Sequence, residues 1–125
     1  MPSSAPAASD QPSGETAYNI SGLGLPVIQD GRLRNYVFVS LRLYLGSGLT
    51  PEGMRAKEPY FRDALIRATH RRSYALPGDW MRLDERQLTA AMVAMGRVLT
   101  GRGSVVRAEV VSQTPRRQIV PPTAA

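Results

Sequence analysis

Few residues in this chain have the means to do chemistry. His70 is its single histidine, and there is no cysteine. Nucleophilic catalysis would therefore rest on a hydroxyl activated by His70, with Ser73 the nearest in sequence. A triad also needs an acid touching the base to orient it. Asp63, seven residues earlier, lies about 10 Å from His70 along a helix axis, which is too far. With Arg71 and Arg72 beside it, His70 reads instead as a cation placed at the negative end of a helix dipole.

The carboxylates carry no more promise of catalysis. Glu52, Glu58 and Asp63 alternate with Arg55, Lys57, Arg62 and Arg67. Glu58–Arg62 and Asp63–Arg67 are i,i+4 pairs in the favourable order, each worth a few tenths of a kcal/mol. Asp84 and Glu85 open a helix, where capping accounts for them. No acids converge for general acid–base work. Gly22 and Gly24 precede a proline rather than a helix, so they make no dinucleotide fingerprint. Gly46-Ser47-Gly48 separates a strand from a helix, but no Lys-Ser/Thr follows as a P-loop requires. The absence of cysteine excludes disulfide scaffolds and thiol catalysis, and one histidine excludes multi-histidine metal sites. The expectation is a non-enzymatic protein with no catalytic, cofactor-binding or metal-ligating residues.

The basic excess does ask for a partner. Sixteen Lys and Arg oppose ten Asp and Glu, for a net charge of +6, and every cation except Lys57 is Arg. Between Arg32 and Arg72 there are nine cations and three acids, and Arg116-Arg117 adds to them near the C-terminus. Tyr36, Phe38 and Tyr44 interleave with Arg34 and Arg42. Such a face suits stacked bases, as on sheet-surface RNA binders, another protomer, or anionic lipid headgroups. The RNP-type run with its glycine and paired aromatics is missing.

These residues need elements to hold them. Residues 18–29 mix β-branched residues with two Gly and Pro26, as an irregular edge strand does. Asp30-Gly31 is a hairpin turn. From Leu33 to Leu45 the strict alternation sets Val37, Val39, Leu41, Leu43 and Leu45 on one face and Arg34, Tyr36, Phe38, Ser40, Arg42 and Tyr44 on the other. Thr50-Pro51-Glu52 starts a helix reaching about Arg72, with Met54, Phe61, Leu65 and Ala68 inward. Pro59 predicts a kink in it. Residues 73–83 form a loop containing Trp80, expected as a core plug. Asp84 and Gln87 cap a second helix carrying Leu88, Ala91, Met92, Met95 and Leu99, ended by Gly101 and Gly103. Ser104 to Thr114 is a Val-rich strand with Val106, Ala108 and Val110 on its inner face. The order β-β-α-α-β predicts an α+β fold: a small, mostly antiparallel sheet with two helices packed on one face and the last strand along an edge.

The ends differ in kind. Residues 1–17 hold three Pro, four Ser and four Ala and read as a disordered tether, since they bury too little to offset their ordering entropy. Residues 116–125 read as a flexible basic and Pro-rich tail. No apolar run approaches the roughly 20 residues needed to span a bilayer.

The run Arg55-Ala56-Lys57-Glu58-Pro59-Tyr60-Phe61-Arg62-Asp63-Ala64-Leu65-Ile66 resembles the helix of FliL-type proteins, the flagellar basal-body-associated family. In that family an Arg and a Pro lead into an Arg-Asp-Ala-aliphatic stretch. The preceding strand with its Gly/Ser turn, the second amphipathic helix and the Gly103-Ser104-Val105 strand are similar too, over roughly residues 18–115. The resemblance implies a non-enzymatic periplasmic domain with a stomatin/prohibitin-like fold, assembling with itself or on a membrane complex. It also accommodates Pro59. The family's membrane helix has no counterpart here, so the expected start lies upstream or the chain is trimmed; the Pro115-Arg116-Arg117 ending departs as well. Candidate contact residues are Arg34, Tyr36, Phe38, Arg42 and Tyr44 on the strand face and Arg55, Arg62 and Arg67 on the helix. The partner is expected to be a protein, a second copy or an anionic membrane surface. A cytoplasmic nucleic-acid-binding domain is the alternative.

Overall fold

A computed structural model describes residues 16–121. Five elements follow in the order β1 (Thr16–Gln29), β2 (Arg32–Leu45), α1 (Pro51–Arg71), α2 (Glu85–Leu99) and β3 (Val105–Pro115). The sheet is antiparallel in the order β1-β2-β3, so the fold is α+β with β2 in the centre. Asp30 and Gly31 both take positive φ (56° and 74°), the twist that a two-residue hairpin demands.

Strand β2 is two-faced from Asn35 to Leu45, beyond a register shift at Arg34. Val37, Val39, Leu41, Leu43 and Leu45 are all buried. They join Ile20, Leu23, Leu25 and Val27 of β1, Met54, Phe61 and Leu65 of α1, and Leu88 and Met92 of α2 in a single core. Among the described residues no helix packs on the opposite face of the sheet. Both edge strands carry bulges: β1 loses register between Ile20 and Leu23, and β3 between Val105 and Arg107 and again between Val110 and Ser112. The bulge at Val106 corrects one position of the expected inner face of β3: Ala108 and Val110 pack against the core opposite Leu43 and Leu41 as expected, but Val106 does not. Val105 is buried while Val106 is 48 % exposed, because the extra residue at the bulge reverses the alternation.

Helix α1 is capped as its sequence dictates, with Thr50 accepting from Gly53 N at 3.0 Å. It runs on through Pro59 as one element. Pro59 lies on the exposed side, where the Arg55 carbonyl, deprived of its N–H partner, can face water. Thr69, rather than Ala68, is the fully buried residue near its end. Its hydroxyl donates to the Leu65 and Ile66 carbonyls at 3.1 and 2.9 Å, which removes the penalty for burying it. Asp84 caps α2 by accepting from Arg86 N and Gln87 N.

Both expected ends need correction. Thr16 and Ala17 belong to β1, pairing with Leu45 and Tyr44; the rest of the expected tether, residues 1–15, lies outside the described residues. The tail does not begin at Arg116. Arg116 N donates to the Tyr36 carbonyl at 2.8 Å, and Asn35 Nδ2 donates to the Arg117 carbonyl at 3.0 Å. Residues 122–125 lie outside the described residues. Trp80 is a half-buried lid on the core rather than a plug.

Helix α2 meets β3 through a glycine. A Cβ on Gly96 would stand 2.6 Å from Val105 Cγ2 and 2.8 Å from its Cβ. Helix propensity alone would make Gly96→Ala stabilising by about 1 kcal/mol, but overpacking opposes it. We expect a net loss of about 1–3 kcal/mol, read by urea denaturation; a gain would mean that α2 and β3 separate freely.

Candidate functional site

The strand-face candidates sit where expected, on the helix-free side of the sheet, but they split into two groups. Toward the far end, the Tyr44 hydroxyl donates to Glu109 Oε1 at 2.7 Å. Arg42 reaches the same oxygen at 3.2 Å through Nη1, and its Nε donates to Asn19 Oδ1 at 3.1 Å. The Arg107 guanidinium lies 3.7 Å from the centroid of the Tyr44 ring, a cation–π stack. Phe38 occupies the middle, 44 % exposed. Its ring crosses Gly24, so near that a Cβ there would meet Phe38 Cε1 at 3.2 Å. Arg34 belongs elsewhere. It sits at the hairpin end, its guanidinium 4.8 Å from the Trp80 ring centroid and 3.8 Å from Asp30.

The helix candidates lie in the other layer, so Arg55, Arg62 and Arg67 form no common surface with the strand face. Two of them are also neutralised. Arg62 Nε binds Glu58 Oε2 at 2.8 Å and its Nη2 donates to the Ser21 carbonyl at 2.7 Å; Arg67 binds Asp63 at 2.7 Å. Both ion pairs follow the i,i+4 spacing in the sequence. Glu58 also accepts from the Tyr18 hydroxyl of β1. Burial pushes the Glu58 carboxyl up, but hydrogen bonds from Tyr18 and Arg62 and the charges of Arg62 and Arg55 outweigh it, leaving the group below the usual glutamate range. Arg62 and Glu58 thereby fasten α1 to β1, whereas the Arg67–Asp63 pair stays within the helix.

His70, Ser73 and Asp30 do line one open groove of ≈ 700 Å³ at the hairpin end, yet each is engaged elsewhere. His70 Nδ1–H donates to the Ile66 carbonyl at 2.8 Å. The Ser73 hydroxyl donates to the Ile28 carbonyl and accepts from Ala75 N. Asp30 faces Arg34. Among the described residues no group of three His, Cys, Asp or Glu could hold a metal, and no helix is long and apolar enough to cross a membrane.

Sequence reasoning missed Arg107, Glu109 and Asn19, the cross-strand partners of Tyr44 and Arg42. The signal was present, since Arg107 and Glu109 alternate outward on β3, but pairing them needs the bulge at Val106. It also missed a basic notch of ≈ 450 Å³ lined by Leu33, Arg34, Asn35, Tyr36, Arg116 and Arg117. Comparison with known proteins finds no matching family model, no matching curated protein and no matching solved structure.

The Tyr44 hydrogen bond holds the Glu109 carboxyl below its usual value against partial desolvation, aided by the charges of Arg42 and Arg107. A depressed folded pKa means stabilisation that is complete above the ordinary glutamate value of about 4.3 and lost as pH falls through the folded value. Wild-type unfolding free energy should therefore decline below about pH 5, and Glu109→Gln should flatten that decline while lowering stability slightly at pH 7. Urea titrations at pH 7 and in steps below pH 5 measure it; an unchanged slope would show that the network carries no stability.

Proposed function

We propose that this chain is a non-enzymatic interaction module, similar to the periplasmic domain of FliL-type proteins, that self-associates or docks on a membrane complex outside the cytoplasm. The observation that carries this is the open sheet face. Sheets in small domains cover at least one face with helices and can leave the other to solvent; here the uncovered one is not a plain polar surface. Its aromatic and charged side chains are already locked to each other through Arg107, Tyr44, Glu109, Arg42 and Asn19, with Phe38 raised among them. Ordering them in advance lowers the entropy lost on association. An exposed aromatic, Phe38, on the same face as a tyrosine stacked by a fixed arginine has the composition of an interface anchor. The groove holding His70 supports a structural role for its reactive groups, because Ser73 bonds across to the Ile28 carbonyl of β1 and His70 bonds to its own helix.

Nucleic-acid binding remains the alternative, favoured by the net charge of +6. It is less supported, because Arg107 already occupies a face of the Tyr44 ring that a base would need for stacking.

Replacing Phe38 and Tyr44 by serine removes the anchor without touching the core. In sedimentation and cross-linking, the wild type should self-associate or retain its membrane-complex partner, and the Phe38→Ser, Tyr44→Ser variant should remain monomeric and unbound with its circular dichroism intact. Assembly equal to wild type in the variant would place the interface elsewhere. Tight oligonucleotide binding that weakens steeply with salt would favour the alternative.

A further inference from the structure

Topology brings three cationic segments to one end of the molecule. The β1–β2 hairpin contributes Arg32 and Arg34, the C-terminal turn of α1 contributes Arg71, and the chain leaving β3 contributes Arg116 and Arg117. The hairpin and the end of α1 share one groove, and the hairpin and Arg116-Arg117 share the notch. Both segments are fixed rather than trailing, since Asn35 holds the Arg117 carbonyl and Tyr36 holds Arg116 N. The acids facing this end are Asp30, which sits by Arg34, and Asp79, whose carboxylate accepts from Met81 N at 2.8 Å. The side chains of Arg116 and Arg117 engage no acid among the described residues.

Apolar side chains stand among these cations. Leu33 is 54 % exposed and lines the notch, and Val120 is 71 % exposed. Val120 follows Arg117 by three residues, so chain length keeps it within about 10 Å. Guanidinium groups beside exposed aliphatic side chains match a lipid interface, where charge meets headgroup phosphate and the aliphatic groups enter the acyl boundary. Nucleic acid would call for free aromatic faces instead.

We propose that the hairpin end, through Arg34, Arg116, Arg117, Leu33 and Val120, is a docking surface for the headgroup region of an anionic phospholipid bilayer. This deepens the membrane-docking role given above, and rests on it, by naming the end that meets the bilayer. Arginines supply attraction to the negative surface, and Leu33 and Val120 supply the part that free phosphate or a polyanion would not use.

The test is flotation of the full chain with phosphatidylcholine–phosphatidylglycerol vesicles against phosphatidylcholine vesicles alone. Binding is expected on the anionic vesicles only. Arg116→Ala with Arg117→Ala should weaken it about 30-fold, and Leu33→Ser with Val120→Ser roughly fivefold or more at unchanged charge. All four side chains are on the surface, and the main-chain bonds at Arg116 and Arg117 survive truncation, so folding is preserved and checked by circular dichroism. No vesicle binding, or binding that ignores the arginine pair, overturns the proposal. So does binding that needs the arginines but not Leu33 and Val120, which is adsorption of any polyanion and would be matched by a single-stranded oligonucleotide. The vesicle variants leave Phe38 and Tyr44 intact and are read by flotation rather than by sedimentation and cross-linking, so failure here and failure of self-association are read separately.

Discussion

A strand in the middle of a three-stranded sheet has neighbours on both edges and can satisfy its backbone only if they stay in register. Its two faces can differ only if its side chains keep a period of two. Strand β2 obeys both conditions from Tyr36 to Leu45. Five aliphatic residues on one face drive two helices onto it, and the polar and aromatic residues between them are thereby committed to the other face. The edge strands are the ones that yield. Their bulges at residues 21–22 of β1, and at Val106 and Val111 of β3, let the edges bend around a regular centre. The same irregularity blunts edges that would otherwise recruit other strands.

One buried polar side chain extends this order beyond the sheet. Asn35, at the start of β2, is 4 % exposed. Its Nδ2 donates to the Trp80 and Arg117 carbonyls at 2.9 and 3.0 Å, and its Oδ1 accepts from Tyr36 N at 2.9 Å. A buried amide is tolerated only when its hydrogen bonds are made, and meeting that condition here draws the long loop and the chain after β3 to the same point. Gln29 works beside it, donating to the Leu76 carbonyl at 2.5 Å and accepting from Trp80 Nε1 at 3.2 Å. These two amides add to the core contacts of Tyr74 and Leu83 in holding the loop, and they hold Trp80 where Arg34 can stack on it.

How much of this was legible in the sequence follows from the strength of each local signal. The alternation of β2, the Asp30-Gly31 turn, the Thr50 and Asp84 caps and the i,i+4 pairs of α1 are local, and each was readable. The inner face of β3 was readable at Ala108 and Val110 but not at its start, where Val105 rather than Val106 is buried. Its sequence contains two Val-Val doublets, Val105-Val106 and Val110-Val111, and each holds one of the two β3 bulges. Two identical residues leave nothing in the pattern to say which faces in. The buried Thr69 was hidden for a related reason, since its polarity is cancelled by carbonyls of its own helix. The Arg42–Glu109–Tyr44 network depended on a register that those bulges shift. The anchored Arg116-Arg117 looked like tail because its partner, Asn35, lies about eighty residues earlier, beyond any periodicity.

The placement of charge completes the division of labour. An ion pair on a helix surface is worth a few tenths of a kcal/mol, too little to explain the overall excess of Arg. The arginines differ in what surrounds them. Arg62 and Arg42 are tied to acids and to the sheet at once, so their charge is spent on holding layers and faces in place. Arg116 and Arg117 are instead fixed by their backbones while their side chains remain exposed, so their charge is left for solvent or a partner. Mobile exposed arginines would lose rotamer and chain entropy when engaged; arginines whose main chain is already set lose less. Charge on a fixed backbone thus serves in two ways: at Arg42 and Arg62 it is committed to holding faces and layers together, and at Arg116 and Arg117 it is presented to whatever meets the hairpin end.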